Sequence, residues 1–358
     1  MPGNEKAQKI FEKNFFGPSV MARSAPAVPL DALLPHASVH TFVLDGGLRV
    51  VWCDVDGPLC SAHILAATQS VDDSGLAHTL EHLIFCGSGR WPHRGFLDTL
   101  ANRSLSSGTN AWTSETYTAY TAVTAGPQGM GRLLPVLLDH VAHPTLRDAQ
   151  FVTEVYHVDG EGKEQGVVFC EMAARENTEA DLLDNTLRQM LYPHMAIAYE
   201  HGGKTRDIAT RLDNRRIRDY HRHYYDPSRM TVVLCGKIDI EDTLKAIATV
   251  PAKAAAPSPS SSSSSSFEPT VPLDTPLPPL VSAAEPTIVR FPSRQDDVAS
   301  IAFAWRGPSC TDLKTVAAFD VVYYFLTETV ASPLNQAFVE RPVPLATDIE
   351  YGKKEINR

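Results

Sequence analysis

A serine run from Ser260 to Ser266, set in a Pro-, Ala- and Ser-rich stretch from Pro251 to Glu285, divides this 358-residue chain unequally. Such a stretch has no apolar face to bury and reads as a flexible linker over 251–285. Any packed core must therefore lie in residues 36–250 ahead of it or 286–358 behind it. Residues 1–35 mix Lys6, Lys9 and Lys13 with Glu5 and Glu12, lack a secretory apolar core, and read as a disordered leader.

Both flanking segments carry an α+β pattern. Thr41–Leu44 and Arg49–Cys53 are β-rich runs around Asp45-Gly46-Gly47, a hairpin signal. Further strands are expected at Ser61–Thr68, Ser107–Thr113, Thr116–Thr124 and Met230–Cys235. Helices are expected near Met130–Val141, Asp148–Val155, Val168–Leu191, Arg206–Tyr225 and Glu241–Ala248, with a short one at Phe96–Ala101. Hairpin-linked strands imply a mostly antiparallel sheet packed with helices. After the linker the pattern restarts, with strands near Thr287–Phe291 and Ala299–Trp305 and a helix over Asp312–Thr327. The chain is thus expected to stop partway through a second unit of the same type.

The chemistry concentrates in His78-Thr79-Leu80-Glu81-His82. On a helix, capped by Asp73 or Ser74 and ended by Gly87, positions i and i+4 share a face, so His78 and His82 can grip one ion. Glu81 then lies beside the ion without ligating it, placed to act as a general base; H-x-x-E-H is a zinc-peptidase spacing. Such a centre needs a third protein ligand, a carboxylate, His or Cys from another element. Glu171 is the candidate, opening a helical pattern directly after the apolar Val167-Val168-Phe169. Glu164, about two turns earlier on the same helical face, would be the second-shell carboxylate that orients a ligating imidazole. Phe85, one turn past His82, could wall a substrate pocket. His140, His143, His221 and His223 read as structural.

These residues sit in a larger pattern. His78-Thr-Leu-Glu81-His82-Leu-Ile-Phe85 followed by Gly87-Ser-Gly-Arg-Trp-Pro92, the Glu164–x6–Glu171 pair within Gly166-Val-Val-Phe-Cys-Glu171-Met, Gly108-Thr-Asn110-Ala111-Trp-Thr113, and Arg215 through Pro227 stand in the order found in the pitrilysin-type zinc peptidases. The chain resembles that family, nearest its presequence-protease branch, over about residues 40–240 and more faintly over 286–340. The resemblance implies one zinc per chain held by His78, His82 and Glu171, with Glu81 as catalytic base. It also implies that peptide substrate adds as a strand along Asn110, Ala111, Trp112 and Thr113. Members usually enclose substrate between two halves, so a second half or partner subunit is implied, and a catalytically silent subunit is the alternative. S-ribosylhomocysteine lyases share a similar His-Thr-Leu-Glu-His-Leu stretch but complete their metal site with cysteine, which makes Cys170 the residue to check.

Composition excludes other classes. A net charge of −10 with no Lys/Arg block argues against a general nucleic-acid binder. No apolar run reaches the roughly 18 residues of a membrane span. The six cysteines lack CxxC spacing and fit reduced thiols in the cytoplasm or, alternatively, the mitochondrial matrix.

Overall fold

β-Branched and aromatic residues alternating with small ones build the strands. The structure, a computed structural model, describes residues 23–24, 28–29, 37–44, 46–250, 276–280, 286–294, 297 and 299–354. The 1–35 leader and the 251–285 linker therefore lie largely outside the described residues. In chain order the strands are β1 (Ser38–Val43), β2 (Arg49–Asp54), β3 (Leu59–Ala67), β4 (Ser106–Thr113), β5 (Tyr117–Ala125) and β6 (Met230–Cys235). They lie side by side as β1-β2-β6-β3-β5-β4, and the two-residue strands Arg23–Ser24 and Val28–Pro29 pair with β1 to complete an eight-stranded sheet. Only β6 and β2 run parallel; the other pairs are antiparallel. Gly46 and Gly47, at φ 85° and 87°, make the β1–β2 turn, a conformation that glycine adopts without Cβ strain.

The helices are α1 (Leu76–Ile84), α2 (Phe96–Arg103), α3 (Pro127–Ala142), α4 (Asp148–Glu154), α5 (Val167–Arg175), α6 (Glu179–Leu191), α7 (Thr205–Arg211), α8 (Asn214–Tyr224), α9 (Ile240–Ala248), α10 (Leu313–Thr327) and α11 (Pro333–Phe338). Period-two burial sends Cys60, Ala62, Ile64 and Ala66 of β3, and Met230, Val232 and Leu234 of β6, into one core. Against them pack Leu80, Leu83 and Ile84 of α1 and Met130, Leu133, Leu134 and Leu137 of α3. Burying each such side chain contributes about 1.5–3 kcal/mol. Every residue of α1 except His82 is buried, so its polar groups must find partners inside the protein.

Several expected boundaries move for local reasons. The helix expected over Val168–Leu191 is two helices, because the Thr178 hydroxyl caps α6 by accepting from Asp181 N. The one expected over Arg206–Tyr225 also divides, where the Asp213 carboxylate accepts from Arg216 N and starts α8. Neither Asp73 nor Ser74 caps α1. Asp73 instead accepts from Glu200 N and pairs with Lys204 Nζ at 2.7 Å, and the cap residue is Gly75.

The strands expected at Thr287–Phe291 and Ala299–Trp305 are absent among the described residues, although α10 forms with Asp312 as its cap. A strand needs a ladder partner, and these segments have none among the described residues; Ile288, Ile301 and Phe303 are each about four-fifths exposed. None of the residues of α10 is buried either. Among the described residues, no helix is long and apolar enough to cross a membrane.

Candidate metal centre

The i, i+4 spacing on α1 sets the His78 and His82 rings 4.8 Å apart and nearly perpendicular. Each ring is fixed through its Nδ1. That of His78 donates to the Gly202 carbonyl at 3.2 Å, and that of His82 faces the Glu154 carboxylate at 3.4 Å. With Nδ1 carrying the proton, each Nε2 presents a lone pair. The two Nε2 atoms are 3.2 Å apart, and Glu171 Oε2, from α5, lies 3.6 Å from that of His78 and 3.4 Å from that of His82. Three electron-rich atoms thus face one another, an arrangement that repels unless a cation lies between them. A tetrahedral ion with bonds of about 2.0–2.1 Å would space its donors about 3.4 Å apart. His78, His82 and Glu171 are the group among the described residues able to hold a metal ion, and two imidazoles with a carboxylate suit zinc.

Electrostatics agree with the donor role of His78, whereas His82 would have to give up a proton to bind a metal. Burial, and next the neighbouring His82 ring, push His78 down to about 4, so it is neutral and ligand-competent at physiological pH. Burial alone would lower His82 too, but the Glu154 hydrogen bond and the charges of Glu171, Glu81 and Glu154 outweigh it and raise the group. The Glu81 carboxyl is raised by burial, and its Oε2 accepts from Thr113 Oγ1 at 2.6 Å.

Glu164 does not occupy the role expected of it. It sits in a two-residue strand, exposed, and accepts from the Tyr156 hydroxyl at 3.0 Å. Helix α5 begins only at Val167, after Gly166 turns the chain at φ 127°. The seven-residue spacing to Glu171 is therefore not a helical spacing. Glu154 takes the place beside His82 instead, buried and tied to Arg94 Nη2 at 2.6 Å. Sequence reasoning missed it because nothing local distinguishes one acidic residue at the end of a short helix. Gly202 was missed for the same reason.

Strand β4 forms the edge of the sheet, paired on one side with β5. Its alternation puts Thr113 and Ala111 toward α1 and turns Asn110 and Trp112 outward, where Trp112 is 40% exposed and donates to the Tyr117 hydroxyl. Phe85 packs on the Tyr120 ring in the core. Cys170 Sγ turns to Gln165, outside the cluster. His140 and His221 are buried, each bonded to a backbone carbonyl.

The model of the insulinase family, peptidase family M16, matches residues 67–189, and that of the M16 inactive domain matches residues 211–348. An uncharacterized protein of Caenorhabditis elegans is 34% identical over 310 residues, 85% of this chain and 30% of that protein. The mitochondrial presequence protease of Xenopus laevis is 31% identical over 188 residues, 50% of this chain and 18% of that protein. The crystal structure of pitrilysin superposes with a TM-score of 0.52 at 17% identity, covering 64% of this chain and 25% of that one. The chain spans less than a third of the length of these curated relatives. It belongs to the M16 peptidase family, near the presequence-protease branch.

Proposed function

We propose that this chain carries the zinc centre of a metalloendopeptidase that hydrolyses short or unfolded peptides. The observation that carries the reading is the convergence of His78 Nε2, His82 Nε2 and Glu171 Oε2 within 3.2–3.6 Å of one another, with the Glu81 carboxylate on the same helix. Zinc held by these three residues would lower the pKa of a water and polarise a peptide carbonyl.

The remaining roles belong to the protein. Glu81 takes a proton from the attacking water and returns it to the leaving amine, and a carboxyl raised by burial suits both tasks. Glu154 and Gly202 O fix the two imidazoles so that each Nε2 faces inward. The outer edge of β4 offers backbone donors and acceptors to an extended peptide, which adds as one more strand. Backbone pairing of this kind uses all of Asn110–Thr113, while only the side chains of Ala111 and Thr113 face α1. Pairing of this kind needs an extended segment with unpaired backbone, which favours short or unfolded peptides.

A second reading has its own support. Val321, Val322, Tyr324 and Phe325 of α10 are all more than half exposed, and an apolar surface of this kind favours association with a second M16-like half. In that case activity requires the partner, and a zinc-binding but silent subunit is the limiting form. The matching presequence proteases are mitochondrial; six free cysteines suit either the cytoplasm, our preferred compartment, or the mitochondrial matrix.

The test is cleavage of a long quenched fluorescent peptide, with and without chelator, beside Glu81→Gln. Chelator-sensitive cleavage by the wild type, abolished in Glu81→Gln with zinc retained, is expected. Retained zinc with no cleavage would leave the silent-subunit reading standing.

A further inference from the structure

The hydroxyl of Thr113 makes the one side-chain hydrogen bond to Glu81 found among the described residues. It comes from the last position of β4, the edge strand, and not from the helix that carries Glu81. Period-two alternation aims Thr113 at α1, and the Oγ1–Oε2 distance of 2.6 Å is that of a short, charge-assisted bond. The Glu81 side chain is nearly enclosed, and this bond holds one of its oxygens toward the strand.

We propose that Thr113 is a positioning residue: its hydroxyl fixes the Glu81 carboxylate in the orientation needed for proton transfer, and it does so from the strand edge along which the peptide lies. The inference rests on the peptidase reading above and adds a link between substrate capture and the base. A peptide pairing with β4 braces the segment that ends at Thr113, and therefore braces Glu81. Thr113 acts through the Glu81 carboxylate it bonds. A β-branched residue at this position also stiffens the strand, so the hydroxyl and the branch have separable roles: Thr113→Val keeps the branch, and Thr113→Ser keeps the hydroxyl.

Two measurements on the full chain test this. The first needs neither metal nor turnover: the carboxylate resonance of Glu81, in protein labelled with carbon-13 at glutamate Cδ and assigned by its loss in Glu81→Gln. One narrow resonance is expected in the wild type and in Thr113→Ser, and a shifted or split one in Thr113→Val. Superimposable resonances in all three would overturn the proposal. The second is peptide cleavage, in which losing a hydrogen bond to a charged group should lower kcat about ten- to a hundredfold in Thr113→Val. KM should stay within about twofold, because backbone pairing is unchanged. Thr113→Ser should restore kcat, and zinc content should be equal in all three. A rise in KM at constant kcat would make Thr113 a substrate contact and refute the positioning role. If the wild type cleaves nothing, the peptidase reading fails while the resonance comparison still decides the placement of Glu81 by Thr113.

Discussion

Replacing Glu154 with glutamine should weaken zinc binding without unfolding the protein. The Glu154 side chain is 9% exposed and lies 3.4 Å from His82 Nδ1 and 2.6 Å from Arg94 Nη2. Its carboxyl is held below the usual range first by the His82 hydrogen bond and then, against burial, by the Arg94 charge. Carboxylates that orient a ligating imidazole are worth about 10–100-fold in metal affinity, or about 1.4–2.7 kcal/mol. Glutamine keeps the shape and one acceptor oxygen, so Glu154→Gln belongs near the tenfold end, and Glu154→Ala near the hundredfold end. The Arg94 pair adds little to stability, since Arg94 is 62% exposed. Glu164→Gln is the control: that side chain bonds the Tyr156 hydroxyl, and its loss should leave affinity within about twofold. Competition with a chromophoric chelator at fixed pH measures all three. Equal losses in Glu154→Gln and Glu164→Gln, or a larger one in Glu164→Gln, would refute the assignment.

Two further outcomes follow from the fold. Gly75→Ala should cost about 2 kcal/mol or more, lowering Tm by about 4–8 °C, because Gly75 sits at φ 72° and a Cβ would lie 2.4 Å from the Gly202 carbonyl. Gly57→Ala, with open space around it, should be neutral in the same melt. Burial opposes charge on Glu115, yet the Lys354 ammonium 2.6 Å away, with His201 beside it, holds the carboxyl down at about 2 against an ordinary 4.5. A depressed carboxyl stabilises the fold above its unfolded value, so this contribution is full above about pH 4.5 and fades as pH falls toward about 2. It is at most about 3 kcal/mol, and less because Lys354 is 42% exposed and screened. Acid unfolding of Lys354→Met should show a shallower slope across that window; an unchanged slope would count against the pair.

The parts of the structure that local rules govern were legible in the sequence. The i, i+4 rule put His78 and His82 on one helix face, and the apolar run before Glu171 signalled a helix held against the core. Alternation and turn residues located the hairpin strands, including the edge strand β4. What depends on tertiary approach was not legible. Glu154 and Gly202 reach the imidazoles from segments 72 and 124 residues away in the chain, and no local pattern marks either. Glu164 misled because its spacing was counted along a helix that Gly166 prevents from starting so early. The strands expected near residues 288 and 301 failed because propensity alone cannot supply a ladder partner. The helix breaks before Glu179 and Asn214 had their signals in plain view, as Thr178 and Asp213, but a long amphipathic pattern masked them.

Zinc is expected to be held by two imidazoles and a carboxylate. X-ray absorption at the zinc edge of the loaded protein tests this directly. It should show only nitrogen and oxygen neighbours at about 2.0–2.1 Å, with two imidazoles, and zinc should be lost in Glu171→Ala. A sulfur neighbour at about 2.3 Å, or undiminished zinc in Glu171→Ala, would contradict it.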